Sequence, residues 1–249
     1  AGRFNPAGPF IRAWTDEVNP HSKGWTIIDC LMNLSLLFWA SKEMDDPRFY
    51  NIACAHADTV LKNFIRPDNT SAHIVSFDPY TGEKIENLGG QGQGPDSAWA
   101  RGQAWAIYGM AITYRETGKE EYLNTAKNVA GYFLSHLPED KVPVWDFRAD
   151  KENRWAKDSS ASACTASGLL ELSSLLPEGP EKEFYYQQAL GILKGLYDHY
   201  YDDSEKNQSM IQMGTVNFPV NRFINVPIIY ADFFFTEALI TLKHPTNIF

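Results

Sequence analysis

One carboxylate sits where acid chemistry could be built. Asp29 lies within Trp25-Thr-Ile-Ile-Asp-Cys-Leu-Met32, with apolar neighbours on both sides. Apolar spacing predicts a helix over 24–44, which puts Asp29 near its start. Two effects then oppose each other: burial raises a carboxyl pKa, and a helix N-terminus lowers it. If burial wins, Asp29 stays protonated near neutral pH and can serve as a general acid. The plainer alternative is a hydrogen-bonded structural aspartate.

A second constellation lies in Asp96-Ser-Ala-Trp-Ala-Arg-Gly-Gln-Ala-Trp105. Arg101 and Trp105 are four apart, so they neighbour each other on one helical face. A guanidinium can hold a carboxylate by two parallel hydrogen bonds, and an indole offers a flat surface to a sugar ring. Gly102 would admit another chain or a ligand, and Trp99 lies nearer the helix mouth. A tightly packed helix with Arg101 in a structural ion pair explains the same residues equally well.

Other residues are open to two readings. The glycine-rich loop 89–94 lacks a Gly-Lys-Ser/Thr ending and a preceding β-α-β unit, so it is no phosphate cradle. Gln91 or Gln93 could hydrogen-bond a sugar hydroxyl there, or the loop is only a flexible turn. His73 falls in a short predicted strand over 71–78, where a lone histidine is more often structural. Asp146, between Trp145 and Phe147, is a reserve candidate for the acid or a turn carboxylate bound to backbone amides. Asp158 reads as the cap of the helix that follows.

The sequence has no G-x-S-x-G elbow, no H-E-x-x-H pair and no convincing Cys/His arrangement. Neither metal nor cofactor is therefore expected. The three cysteines, Cys30, Cys54 and Cys164, are widely spaced in apolar runs and read as buried, reduced thiols. The net charge of −9 argues against a grip on nucleic-acid phosphates. No run approaches the ~18 apolar residues of a membrane span. A soluble protein of cytoplasm or periplasm is expected, with no membrane partner.

Helices must position these residues. Beyond 24–44, they are predicted from Pro47 to about Ile65, then over 97–117, 120–136, 160–176, 181–201 and 228–243. Asp46 with Pro47 opens the second, and Gly118 stops the third. Greasier helices alternate with more charged ones, as in the inner and outer layers of an α/α toroid. The first is greasy on nearly all sides and should be buried. About seven helices are visible, an odd number for a ring of pairs, so an element is missing. No composition break divides residues 1–249, which read as one domain.

Five stretches together resemble the unsaturated glucuronyl hydrolases of glycoside hydrolase family 88. They are Arg3-Phe-Asn-Pro with Ile11-Arg-Ala-Trp14; Ile27-Ile-Asp-Cys-Leu-Met-Asn-Leu34; Ser71-Ala-His-Ile74; the run 96–105; and Val142-Pro-Val-Trp-Asp-Phe147 with Asp158-Ser-Ser-Ala161. The segment 229–239 fits the family's last helix, and Trp-x-Arg-Gly-Gln-x-Trp is the most specific element.

The resemblance implies an all-α, (α/α)6 six-hairpin barrel and an unusual glycosidase. Its acid protonates C4 of the C4=C5 enol ether in a terminal unsaturated uronic acid, and water adds at C5. The hemiketal then opens and releases the remaining saccharide, here of glycosaminoglycan type. By resemblance Asp29 is the acid and base. His73, Gln91, Arg101 and Trp105 are its substrate-site companions, Trp14 and Trp99 are walls, and Arg101 helps hold the substrate carboxylate. Two alternatives follow: a related hydrolase of unsaturated rhamnogalacturonan fragments, whose motif is usually Arg-Gly-Asn-Gly-Trp, and a non-catalytic saccharide-binding toroid. The family carries a second active-site aspartate and an aromatic wall residue well before Ile-Ile-Asp. Nothing in the 28 residues before Asp29 matches them. The barrel is therefore expected to be incomplete at its N-terminus.

Overall fold

The computed structural model describes residues 2–19, 21–204 and 207–244. Seven α-helices lie among them: α1 Leu34–Glu43, α2 Pro47–Asn63, α3 Ala100–Thr117, α4 Glu120–Ser135, α5 Ser159–Ser174, α6 Pro180–Tyr200 and α7 Ile229–Lys243. Three hairpins, α1–α2, α3–α4 and α5–α6, are followed by α7.

α3 packs on α5, and α5 packs on α7, so these helices form an inner wall. The early residues of α3 and nearly all of α5 are buried whichever way they point. α2, α4 and α6 instead bury a single face and lie outside. Small residues explain the central place of α5. Its Ser-Ser-Ala-Ser-Ala-Cys-Thr-Ala-Ser-Gly sequence lets helices approach closely, and a Cβ on Gly168 would lie 3.0 Å from Cβ of Tyr108 on α3. One apolar cluster runs through the layers from Phe10 to Ala238. This is α/α-barrel architecture, as the alternation of greasy and charged helices predicts.

Local signals set several boundaries. Asp46 caps α2 by accepting the Arg48 N–H at 3.0 Å, with Pro47 in the first turn. Gly118, at φ +68°, ends α3 in the left-handed conformation. Asp158 caps α5. The start of α3 differs from the helix expected over 97–117: it begins at Ala100, and Trp99 occupies the cap position without a side-chain bond.

The predicted helix over 24–44 is really three elements. Trp25–Ile27 is a strand, Ile28–Asn33 a 3-10 turn, and only Leu34–Glu43 is α-helical. Taking Trp25–Ile27 as β3 and Ile74–Phe77 as β4, the two pair antiparallel, Ile27 opposite Ile74 and Trp25 opposite Ser76. Thr-Ile-Ile is β-branched, which suits a strand, and a 3-10 turn still presents every third residue to one side. β5, Lys84–Leu88, completes that sheet, and β1, Phe4–Asn5, pairs with β2, Phe10–Ile11. The greasy character of α1 does not bury it all round: Leu36 is 63% and Trp39 57% exposed. Of the cysteines, Cys30 and Cys164 are buried, Cys54 is half-buried, and none is in a disulfide.

His56 joins β2 to α2. Its wholly buried ring accepts the Ile11 N–H at Nδ1, 3.1 Å away, and burial alone holds its pKa down to about 3. The unfolded chain therefore takes up a proton between about pH 6.5 and pH 3 that the folded protein refuses, and stability falls as pH drops through that window. In His56→Gln the unfolding free energy, from denaturant titrations between pH 7 and pH 4, should decline less steeply than in wild type. The difference should reach at most about 1.4 kcal/mol per pH unit. Equal slopes would show that His56 is not the acid-labile site.

Candidate active site

Strand register sets the first pair. Ile27 lies opposite Ile74, and the ladder extends one bond further, the Ile28 N–H donating to the His73 carbonyl at 3.0 Å. His73 is thereby held beside Asp29, with Nε2 3.5 Å from Oδ2. The neighbours Ile28 and Cys30 are buried, but the Asp29 side chain is 32% exposed, because the 3-10 turn carries it outward. It is not sealed in a greasy pocket as the helix reading supposed. Its Oδ2 is nonetheless buried and accepts no hydrogen bond among the described residues. The Cys30 thiol behind it is pushed up to about 11, first by burial and then by the Asp29 charge.

The glycine-rich loop fixes the imidazole. The Gln91 backbone N–H donates to His73 Nδ1 at 2.8 Å. The Gly89 carbonyl lies 3.3 Å from the same nitrogen, but an Nδ1 that accepts the shorter Gln91 bond carries no proton, which puts the ring hydrogen on Nε2, facing Asp29. Gly90 makes the approach possible. Its φ is +58°, and a Cβ there would stand 2.2 Å from Nδ1. The loop is thus a clamp and more than a flexible turn. The Gln91 side chain donates to the Val216 carbonyl at 2.9 Å. Gln93 turns away to exposed Asp150, 2.7 Å from it.

Trp99 and Arg101 lie beneath this layer. Trp99 is 1% exposed, its ring 4.4 Å from that of His73. The missing side chain of Gly102 makes room for Trp99 itself, since a Cβ would meet that ring at 2.8 Å. Trp99 is therefore a backing for His73 and not a wall facing a sugar. Arg101 lies over the same indole, 4.6 Å from its centroid. Its Nη1 donates to Asp158 Oδ2 at 2.5 Å, to Ser160 Oγ at 3.2 Å and to the Thr215 carbonyl at 2.8 Å. Its Nη2 donates to the Val216 carbonyl at 2.9 Å, and the residue is 1% exposed. The expected clamp on a substrate carboxylate is occupied from within: the guanidinium faces Asp158. Of the two readings open in the sequence, the geometry is that of the structural ion pair.

Trp105 joins through Tyr230 at the start of α7. Their rings meet edge to face at 6.1 Å, and Tyr230 is also 5.7 Å from the Arg101 guanidinium carbon. Trp105 is 6% exposed, and its indole N–H has no acceptor among the described residues. Trp14 stands apart, half-buried and edge-on to Trp25 at 6.2 Å. The N-terminal ends of α3, α5 and α7 converge here, since Arg101 touches both Asp158 and Tyr230. Three positive dipole ends thus favour an anion at this end of the barrel. Among the described residues, no three His, Cys, Asp or Glu side chains are grouped to hold a metal ion.

Comparison with known proteins gives this geometry a lineage. The profile of Glycosyl Hydrolase Family 88 matches residues 7–240. The chain belongs to that family. It is 38% identical to the unsaturated glucuronyl hydrolase of Bacillus sp. (strain GL1), over 97% of this chain and 64% of that protein. It is 34% identical to the unsaturated chondroitin disaccharide hydrolase of Streptococcus pneumoniae (strain ATCC BAA-255 / R6), over 99% of this chain and 63% of that protein. The crystal structure of the Bacillus sp. GL1 enzyme superposes with a TM-score of 0.92 at 37% identity, covering 98% of this chain and 65% of that one. The chain thus spans just under two thirds of the length of these relatives.

For this family 88 chain, the reserve acid can be assigned. Asp146 is fully buried and accepts the backbone N–H groups of Gln93, Ala98 and Arg148 at 2.9, 3.0 and 2.9 Å. It is the turn carboxylate of the two readings. It ties the glutamine loop to the start of α3, and burial pushes its pKa up against those three amides. Sequence reading missed three participants: the Arg101 partnership of Asp158, the carbonyls of Thr215 and Val216, and Tyr230. The first was masked by the capping role of Asp158. A carbonyl has no signal of its own in sequence. The α6–α7 connection that brings these carbonyls in holds Met213, Asn221, Phe223 and Asn225 at φ between +51° and +67°. That conformation costs a methionine or phenylalanine roughly 1 kcal/mol or more.

Long-range proton–nitrogen spectra of wild type should show the His73 proton on Nε2. Gly90→Ala should lose that preference, since the new Cβ overlaps Nδ1, and should be destabilised by about 1–3 kcal/mol in thermal unfolding. An unchanged His73 spectrum in the variant would remove the clamp.

Proposed function

We propose that this chain carries the acid/base site of a hydrolase that frees 4,5-unsaturated uronic acid from the non-reducing end of glycosaminoglycan-type oligosaccharides. The observation that carries the reading is Asp29 beside His73, whose Nδ1 accepts the Gln91 N–H, at the convergent ends of the inner helices. The names of the relatives, glucuronyl and chondroitin disaccharide hydrolases, supply the substrate class.

In this reading Asp29 is the group that gives the substrate its proton. His73, with Nε2 3.5 Å from Oδ2, orients the carboxyl group towards the substrate. That proton passes to C4 as the C4=C5 electron pair forms the new C–H bond, and positive charge develops at C5 and the ring oxygen. The resulting Asp29 carboxylate takes a proton from water, whose oxygen bonds to C5, and the acid is restored. The C5 hemiketal opens, and loss of the saccharide from C1 follows, so one water is consumed per bond cleaved. A carboxylate that both gives and recovers a proton needs contact with water, which its partial exposure supports.

Arg101 contributes here as the fixed cation behind the site, and the converging helix ends favour the uronate carboxylate. Trp105, with its unpartnered indole N–H, and Gln91 are the side chains proposed to meet sugar hydroxyls. Trp14 is proposed as an outer wall.

The test is decay of the ultraviolet absorbance of an unsaturated chondroitin disaccharide with the full-length protein. Asp29→Asn should reduce the rate by at least ~10³-fold with the fold unchanged, as loss of the proton donor demands. Decay near the wild-type rate in that variant would exclude Asp29. Run in parallel, a rhamnogalacturonan-derived unsaturated disaccharide should be the poorer substrate. Tight binding of the chondroitin disaccharide without decay in wild type would leave only a saccharide-binding role.

A further inference from the structure

We infer that Asp158 is a positioning residue for the reaction, acting on His73 and Asp29 through Arg101. The inference rests on the hydrolase reading above.

Asp158 is more elaborate than a cap requires. Capping α5 needs one acceptor for the Ser160 N–H, at 3.2 Å, which a neutral asparagine or serine could supply. Asp158 instead carries a full charge at 0% exposure. Its Oδ2 takes Arg101 at 2.5 Å, and its Oδ1 takes the Ser160 hydroxyl at 2.6 Å. Burial raises its pKa, with the Arg101 charge the main opposing influence. A helix end has no use for such an arrangement, but a guanidinium that must be held still does.

Two routes lead from that guanidinium, and both end on one imidazole. The first is a stack: Arg101 lies on the Trp99 ring at 4.6 Å, and Trp99 lies against the His73 ring at 4.4 Å. The second runs through the α6–α7 connection. Arg101 donates to the Thr215 and Val216 carbonyls, and the Val216 carbonyl also accepts the Gln91 side chain. The Gln91 backbone N–H then sets the His73 tautomer. One route fixes the plane of the ring, and the other decides which nitrogen carries its proton. Both properties govern what Asp29 Oδ2 meets.

The experiment uses Asp158→Asn in the full-length protein, which keeps the cap and the shape but removes the charge. Asp46→Ala, which strips the cap of α2 far from the site, is the control for stability alone. Two quantities are read: kcat and KM on the unsaturated chondroitin disaccharide, and the His73 nitrogen spectrum without substrate. The expected result is a fall in kcat of tenfold or more, KM within about threefold, and loss of the pure Nε2–H pattern, with none of these changes in Asp46→Ala. An unchanged kcat overturns the inference. So does a fall in kcat with the His73 spectrum intact, because the charge would then act by another path. Should Asp158→Asn fail to fold, Asp158→Ser keeps a cap, leaves room for water on the guanidinium and is read in the same way. If wild type does not act on the disaccharide, the hydrolase reading fails instead, and the His73 spectrum still reports whether Asp158 controls the ring.

Discussion

Two opposite charges that water does not reach hold this end of the barrel together. Arg101 and Asp158 face each other at 2.5 Å, with 1% and 0% exposure. Taking both out of water costs several kcal/mol per ion, and the attraction offsets this only when the remaining donors and acceptors are also used. Here they are: two backbone carbonyls, a hydroxyl and a backbone amide surround the pair. Arginine suits the place because its planar fork can serve several acceptors at once while lying flat on an indole. The pair joins α3, α5 and the connection into α7, so three inner elements share one fixed point.

Around that point the site is built in tiers. Trp99 covers the guanidinium, His73 covers Trp99, and Asp29 lies at the outer edge, where solvent begins. Glycines at 90 and 102 let the tiers touch, each replacing a side chain that would collide with a ring. Burial thus decreases stepwise from Asp158 outward. The least exposed groups are structural, and Asp29 is the carboxylate of the set that water can reach.

The inner wall is an arc, and its end helices differ from its middle. α5 has neighbours on both sides and buries nearly all its residues. α7 lies at one end of the arc, α1 lies against α3 at the other, and both keep large apolar side chains in solvent: Leu36, Trp39, Ile229, Tyr230 and Phe233 are each 45% exposed or more. Helices this apolar have no solvent face by composition, so exposure there reflects position in the arc and not sequence type.

Much of this was legible in the amino-acid order. Helix spacing, the Asp46–Pro47 start, the Gly118 stop and the Asp158 cap are local signals, carried by residues a few positions apart, and they fixed most element boundaries. The set Asp29, His73, Gln91 and Arg101 could be named because those residue types stand in recognisable runs. What each side chain does was decided only by tertiary structure. The apolar run before Asp29 reads as helix by spacing, yet a strand 47 residues later captures Trp25–Ile27, and the register of that pairing brings His73 to Asp29. The partner of Arg101 is 57 residues away, and two more of its acceptors are carbonyls, which every residue possesses. Sequence lists the groups able to form a bond. It does not list competitors distant along the chain, and for a buried guanidinium the nearest buried carboxylate wins.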